Sequence, residues 1–252
     1  MYFDTHSHLN LKEFEKDRFS VAEECLKKGV QMINVGTGFF DSKIAVEIAE
    51  RYPKGVYASV GLHPLYVEEE DFDIERFREL AKKDKVLSIG ETGLDYFYSP
   101  KKLSIEDYRE LQKYVFIKQL DLAEELKKPV IIHIRDAFED AYKILKERQV
   151  RAVIHCFTGS LDDLEKFLSL GCYIGINGII FKADLDEVVK KIPEDKILFE
   201  TDCPYLSPPN FKGKRNDPMG VIEVAKAVNE LRGKDLTEQA FNNSLKFFNY
   251  GI

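Results

Sequence analysis

The stretch YFDTHSHL, residues 2–9, indicates the fold, because it starts as an apolar β-strand and ends in polar side chains. Similar short apolar runs follow it and are separated by segments in which apolar residues recur at helical spacing. The predicted strands are Tyr2–Leu9, Gln31–Gly36, Gly55–Gly61, Val86–Gly90, Pro129–Ile134, Ala152–Phe157, Cys172–Ile176 and Lys196–Thr201. Runs that are apolar almost throughout are typical of parallel strands, which are covered on both faces.

Eight such strands alternating with helices predict an α/β protein with the (β/α)8 TIM-barrel fold. The length of 252 residues suits one barrel, so we expect residues 1–252 to form a single domain. An open, doubly wound sheet would give the same local pattern. No Gly-x-Gly-x-x-Gly motif follows the first strand, which disfavours a dinucleotide-binding fold.

Helix boundaries are indicated by residues whose short side chains cap free backbone amides. Asp41 is predicted to cap a helix over Ser42–Arg51, and Ser104 a helix over Ile105–Lys127. A further helix is predicted at Thr237–Asn249, after the last strand.

Composition limits the class of protein. With 44% hydrophobic and 32% charged residues, the chain is typical of a soluble enzyme, and it contains no apolar run long enough to span a membrane. The first residues lack the pattern of a signal peptide, and the four cysteines form no Cys-x-x-Cys pair, so we expect a cytoplasmic protein with free thiols. The net charge of −7 argues against tight non-specific binding of nucleic acid over the whole surface.

All five histidines of the chain lie at or just beyond the C-terminal end of a predicted strand. Barrel enzymes build their active sites at that end, so the clustering indicates function. His6 and His8 are two residues apart in a strand and point to the same side, where two imidazoles can hold one zinc or manganese ion. His133 and His155 end two successive apolar strands and fit a second ligand pair, although a single histidine there is usually a core residue.

Two acidic residues complete the predicted site. Glu91 follows an apolar strand, where a carboxylate is costly to bury unless it is paired or binds metal, and its two oxygens could span two ions. Asp202 follows the last strand and could both bind metal and accept a proton from water, which would make these two residues the catalytic pair. The structural alternative for each is a salt bridge to a basic residue at the barrel mouth.

Residues that could bind the substrate are predicted on the same rim. Arg135 shares the side of His133, and its guanidinium could bind a phosphate. The segment KGKR, residues 212–215, carries the basic patch Lys212, Lys214 and Arg215, a pattern more typical of a solvated loop than of a binding site. Aromatic residues at 96–98, followed by lysines at 101 and 102, suit either stacking on unpaired bases or ordinary loop packing.

Taken together, the polar segments resemble the motifs of the TatD family of metal-dependent deoxyribonucleases. The motifs are DTHSHL (4–9), GLHP (61–64), GETGLD (90–95), HIR (133–135), HCFTG (155–159), ETDCPYL (200–206) and RNDP (215–218). They run from the first residues to the C-terminal helix. Each is weak alone, but their number and order are specific together.

The resemblance implies a metal-dependent hydrolase barrel with two divalent ions, whether zinc, manganese, magnesium or cobalt. It implies that His6, His8 and Asp202 hold one ion, that His133 and His155 hold the other, and that Glu91 bridges them. It also places His63 at the pocket but outside the ligand set, so we expect His63 and Arg135 to contact the substrate.

The leading hypothesis is a deoxyribonuclease that cleaves DNA phosphodiester bonds with a metal-activated water whose proton passes to Asp202. The alternative is a hydrolase of a small amide, lactone or phosphoester at the same centre. A third possibility, a nucleic-acid-binding protein without catalysis, is disfavoured because binding needs no row of buried ionisable groups. We expect no organic cofactor and no membrane association.

Overall fold

Parallel strands and helices alternate along the chain in the computed structural model, which describes residues 1–211, 213 and 215–250. The strands are β1 Tyr2–Ser7, β2 Val30–Val35, β3 Val56–Val60, β4 Val86–Asp95, β5 Val130–Arg135, β6 Ala152–Ile154, β7 Tyr173–Ile176 and β8 Ile197–Phe199. The helices are α1 Arg18–Lys27, α2 Phe39–Glu50, α3 Ile74–Ala81, α4 Ile105–Leu126, α5 Phe138–Leu145, α6 Leu161–Ser169, α7 Asp186–Lys191, α8 Gly220–Arg232 and α9 Thr237–Phe248.

The strands form one sheet that curls into a nearly closed barrel. Each strand pairs in parallel with the next one along the chain, from β1 to β8. Beyond the end of β8 the chain meets β1 again: Ser7 pairs with Cys203, and the Asp202 amide donates to the His6 carbonyl oxygen at 2.8 Å. This closure confirms the predicted TIM barrel and excludes the open doubly wound sheet.

Two apolar layers hold the barrel together. The outer layer lies between the strands and the surrounding helices. The inner layer fills the barrel and combines strand residues with aromatic residues of α9; it consists of Phe3, Ile33, Val35, Tyr57, Ile131, Val153, Tyr173, Leu198, Phe241, Phe247 and Phe248. Asn243 of α9 donates to the carbonyl oxygens of Glu194 and Ile197, where β8 begins. Helix α9 therefore packs at the N-terminal end of the barrel, which leaves the C-terminal mouth for chemistry.

Strand β4 is five residues longer than predicted and extends to Asp95, so Glu91 lies within it. Two glycines make this possible: Gly90 and Gly93 have φ angles of +137° and +136°, which other residues rarely adopt. A Cβ atom on Gly93 would lie 2.0 Å from the carbonyl oxygen of His133, on the neighbouring strand. Glycine therefore lets β4 approach β5 closely on both sides of Glu91.

The predicted cap at Asp41 is wrong, whereas Ser104 caps α4 by accepting from the Asp107 amide at 3.1 Å. Helix α2 starts earlier, at Phe39, with Gly38 in the capping position. The Phe39 amide donates to the Glu70 carboxylate at 2.8 Å, so a residue of another loop replaces the local cap.

Among the described residues, no helix has both the length and the hydropathy needed to cross a bilayer. The cytoplasmic location stays a prediction.

Candidate metal centre

The buried carboxylate of Glu91 lies at the centre of the histidine cluster in the barrel mouth. Its Oε2 atom is 3.3 Å from His6 Nε2 and 3.9 Å from His8 Nε2. Its Oε1 atom is 3.2 Å from His133 Nδ1 and 3.7 Å from His155 Nε2. The two oxygens thus divide these histidines into two pairs, the division expected of a carboxylate between two ions.

Asp202 joins the side of the cluster that contains His6 and His8. Its Oδ1 atom lies 3.4 Å from His8 Nε2 and 3.8 Å from His6 Nε2. Three sets of residues could each hold a metal ion, because the potential ligand atoms within each set lie no more than 4.8 Å apart. The sets are His6 with His8 and Asp202, His6 with Glu91 and His155, and His63 with Glu91 and His133. The structure therefore also brings His63 into the cluster, beside Glu91.

Strand alternation accounts for the direction of His133. In β5, Ile131 packs inside the barrel, and His133, two residues later, shares its side. Asp202 lies beyond the end of β8 at Phe199, and its backbone is held at the mouth by the hydrogen bond from its amide to the His6 carbonyl oxygen at 2.8 Å. Strand β1 departs from this alternation. Phe3 and His6 both face inward although they are three positions apart, because the pairing register shifts between Asp4 and Ser7.

In three of the histidines, the ring nitrogen that points away from the cluster has a partner of its own. His8 Nδ1 is 2.8 Å from the Val35 carbonyl oxygen, which can only accept. His133 Nε2 is 3.0 Å from Asp95 Oδ2. Such partners fix the ring and leave the lone pair of a neutral imidazole on the nitrogen facing the cluster, as metal-binding histidines require.

His155 has the third such partner, Glu200, whose Oε1 atom lies 2.8 Å from Nδ1 without the alignment of a hydrogen bond. The same oxygen accepts from the Cys156 amide at 2.7 Å and from Asn177 Nδ2 at 3.0 Å. Sequence reasoning assigned no role to Glu200 or to Asp95. The signal was present for Glu200, because a carboxylate that directly follows the apolar strand Ile197–Phe199 is costly to bury without a partner.

The charges of the cluster are strongly coupled. Burial alone would raise the pKa of Glu91, but the neighbouring histidines, His63 and His6 first, hold it well below its usual value. Burial opposes protonation of His155, yet the carboxylates of Glu200, Asp202 and Glu91 raise the pKa of this ring to about 10. Without metal, protons on such rings balance the buried carboxylates, and divalent ions can take over that role.

The donor set fits divalent metal. His6 Nε2 and His8 Nε2 face each other at 3.1 Å, and the Val35 contact leaves a lone pair on the nitrogen of neutral His8. The outer nitrogen of His6, Nδ1, is buried without a hydrogen-bond partner among the described residues. Converging nitrogen lone pairs beside carboxylate oxygens suit zinc, manganese or cobalt, and the carboxylates also suit magnesium.

His63 differs from the other histidines in its hydrogen bonding. Its Nδ1 atom accepts from the Leu65 amide at 3.1 Å, so the proton of the neutral ring is on Nε2, 3.4 Å from Glu91 Oε1. Burial lowers the pKa of His63 in spite of the nearby Glu91 charge, which favours this neutral form. A ring with its proton on the inward nitrogen offers a donor there and no lone pair for metal.

Arg135 lies at the rim, two residues beyond His133, with its guanidinium carbon 3.7 Å above the ring of Phe97. The structural alternative was a salt bridge, but no carboxylate pairs with Arg135 among the described residues; Glu139 pairs instead with Lys143 and Lys166. The guanidinium therefore keeps nearly all of its in-plane donors for a ligand.

The other basic residues predicted at the rim are less available for binding a substrate. Arg215 pairs with Asp17 and donates to the Glu13 carbonyl oxygen, and Lys101 pairs with Glu69. Lys212 and Lys214 of the predicted basic patch lie outside the described residues.

Comparisons with known proteins agree with this architecture. The sequence model of a family described as TatD related DNase matches residues 3–249. The chain is 41% identical to an uncharacterized metal-dependent hydrolase, YabD, of Bacillus subtilis, covering 95% of this chain and 94% of the relative. It is 35% identical to the 3'-5' ssDNA/RNA exonuclease TatD of Erwinia tasmaniensis, covering 96% of each chain. The crystal structure of the TatD homologue YJJV of Escherichia coli is similar, with a TM-score of 0.89, 30% identity and 98% coverage of both chains.

Proposed function

Because the chain belongs to the TatD-related DNase family of metal-dependent hydrolases, we propose that it hydrolyses phosphodiester bonds of single-stranded DNA with two divalent metal ions. The observation that carries the proposal is the position of Glu91. Its Oε2 atom faces His6 and His8, whereas Oε1 faces His133 and His155 and also the Nε2 atom of His63, an arrangement that suits a bridge between two ions. The relative named as a single-stranded DNA and RNA exonuclease supports the choice of substrate.

In this proposal His6, His8 and Asp202 hold one ion, His133 and His155 hold the other, and Glu91 joins both. Bound divalent ions supply charge neutralisation at a phosphoryl oxygen and make water more acidic. The buried side chains around them exclude bulk solvent and keep the ligands in a fixed geometry, so little reorganisation is needed during the reaction.

Asp202 is the proton acceptor of the proposed reaction. Burial would raise its pKa, but the neighbouring imidazoles of His8, His155 and His6 lower it, so the carboxylate is ionised at neutral pH. Its φ of +57° holds the residue in the left-handed region, where few residues other than glycine, asparagine and aspartate are found.

His63 and Arg135 are the substrate-binding residues. The Nε2 hydrogen of His63 points into the cluster and can be donated to a non-bridging oxygen of the phosphate. Arg135, braced against Phe97, presents paired N–H donors that match two oxygens of a phosphate further along the strand.

The test is activity of chelated protein reloaded with zinc, manganese, magnesium or cobalt on single-stranded DNA, duplex DNA, RNA and a panel of small amides, lactones and phosphoesters. We expect metal-dependent cleavage of single-stranded DNA. Asp202→Asn should reduce kcat by about 10²- to 10⁴-fold, because an amide cannot accept the proton. Turnover of a small ester but of no nucleic acid would favour the alternative, a small-molecule hydrolase. A normal rate in Asp202→Asn would remove this residue from the mechanism.

A further inference from the structure

Exposed aromatic side chains gather at the mouth of the barrel. The exposed aromatic residues of the described chain are Phe40, Tyr66, Phe97, Tyr98, Tyr114 and Tyr205. All but Tyr114, which lies on α4, follow the C-terminal end of a strand. Large apolar rings are seldom left in water in groups unless a ligand covers them.

Phe97 and Tyr98 are the pair of this group that contacts a cation. The two residues are 55% and 48% exposed, and their ring centroids lie 5.1 Å apart at an interplanar angle of 87°. The guanidinium of Arg135 lies 3.7 Å above Phe97 and 5.2 Å from the centre of Tyr98. The preceding residue, Tyr96, is different, because it is part of the loop packing: its hydroxyl donates to Asp140 at 2.8 Å.

The pair is held in place relative to the metal centre by one carboxylate. Asp95 Oδ1 accepts from the backbone amides of Phe97, at 3.0 Å, and Tyr98, at 3.3 Å. Its other oxygen, Oδ2, contacts His133 Nε2 at 3.0 Å. The far end of the same loop is anchored by Glu68, whose carboxylate accepts from the amides of residues 101–103 at 2.8 to 3.0 Å. The exposed rings therefore sit on a rigid segment, which lowers the entropic cost of binding.

We infer that Phe97, Tyr98 and Arg135 form a subsite that stacks one unpaired nucleobase beside the phosphodiester bond being cut. The inference rests on the proposed function and names the residues that would make the enzyme prefer unpaired strands. Flat rings with a guanidinium lying over them match the face of a base, and such stacking tolerates any base. Both faces of a base are already stacked inside a duplex, so the subsite selects single strands or frayed ends.

The charge balance points the same way. The chain carries a net charge of −7, and Arg135 is free of carboxylates among the described residues while nearby Lys101 is paired. A surface of this kind binds a strand by stacking and local contacts, because it lacks the broad positive field that holds duplex DNA.

The experiment removes the ring and the base separately. Wild type, Phe97→Leu and the control Tyr114→Leu are loaded with metal and assayed on a fluorescent oligothymidylate. The same strand is then assayed with an abasic residue on either side of the scissile bond. Tyr114 is a matched control because this residue is 58% exposed and lies away from the mouth on α4. Anisotropy of the same strands measures binding separately from hydrolysis.

We expect Phe97→Leu to lower kcat/KM on the intact strand by about tenfold, the usual scale for one stacked base. An abasic residue at the stacking position should cost wild type a similar factor and should cost Phe97→Leu almost nothing more. Tyr114→Leu should behave as wild type. Full activity of Phe97→Leu, or an equal loss on intact and abasic strands, would overturn the subsite.

The two proposals fail differently in this design. Cleavage that does not depend on the flanking base, in wild type and Phe97→Leu alike, contradicts the subsite and leaves the nuclease proposal standing. Binding that depends on the base and on Phe97, without hydrolysis by wild type, contradicts the nuclease proposal and supports the subsite.

Discussion

Glu200→Gln tests whether the carboxylate behind His155 tunes the metal centre. Glu200 Oε1 makes three contacts: the Cys156 amide at 2.7 Å, Asn177 Nδ2 at 3.0 Å and His155 Nδ1 at 2.8 Å. A glutamine of the same shape keeps an oxygen for the amide and for Asn177. The substitution therefore removes the negative charge facing His155 and leaves most of the packing unchanged.

The magnitude follows from that single change. Removing the partner of a metal-binding histidine typically lowers metal affinity about 10- to 100-fold. Because glutamine keeps an oxygen in the place of Glu200 Oε1, we expect the lower end of that range, a roughly tenfold weaker metal affinity. We expect the loss of affinity at the metal site that contains His155.

The assay is calorimetric titration of chelated protein with zinc or manganese at pH 8, with thermal unfolding recorded alongside. Glu194→Gln is a suitable control, because Glu194 pairs with Lys234 on the surface, far from the mouth. Metal affinity within twofold of wild type in Glu200→Gln, with an unchanged unfolding temperature, would refute the role assigned to Glu200.

Three further predictions concern the same centre. His63→Ala and Arg135→Ala should keep full metal content and lose about 10- to 100-fold in kcat/KM on DNA, and Arg135→Lys should restore little, because an ammonium does not reproduce the planar fork; loss of metal from His63→Ala, or normal kinetics in both alanine variants, would contradict this. Gly175→Ala should weaken metal binding, because its Cβ would lie 2.5 Å from Glu200 Oε2 and push the carboxylate away; an unchanged metal affinity would show that the carboxylate has room to move. Metal affinity should keep rising from about pH 7 to pH 9, because the raised pKa of His155, about 10, means that the ion must displace a proton over that range; an affinity independent of pH above about 7 would show that the ring is already neutral.

The barrel and the location of its mouth could be predicted from sequence because both follow from local patterns. Buried parallel strands are recognisable as apolar runs, and their polar ends mark the mouth. The boundaries were less predictable. Strand β4 continues through Gly90 and Gly93 because a tight approach to β5 suits glycine there, whereas a strand interior otherwise disfavours it. The start of α2 depends on Glu70, thirty-one residues away from Phe39, which no local capping rule can include.

The residue types at the strand ends can be read from the sequence alone: five histidines, Glu91 and Asp202. The nitrogen of each ring that faces the cluster is set by tertiary contacts, because the orienting partners come from other parts of the chain: Val35 for His8, Asp95 for His133 and Glu200 for His155. Tertiary contacts also separate the residues of the aromatic loop: the hydroxyl of Tyr96 donates to Asp140, whereas Phe97 and Tyr98 are exposed beside Arg135. Periodicity fixes the side of a strand on which a residue lies, but the direction of a ring or a guanidinium depends on neighbours that are distant in sequence.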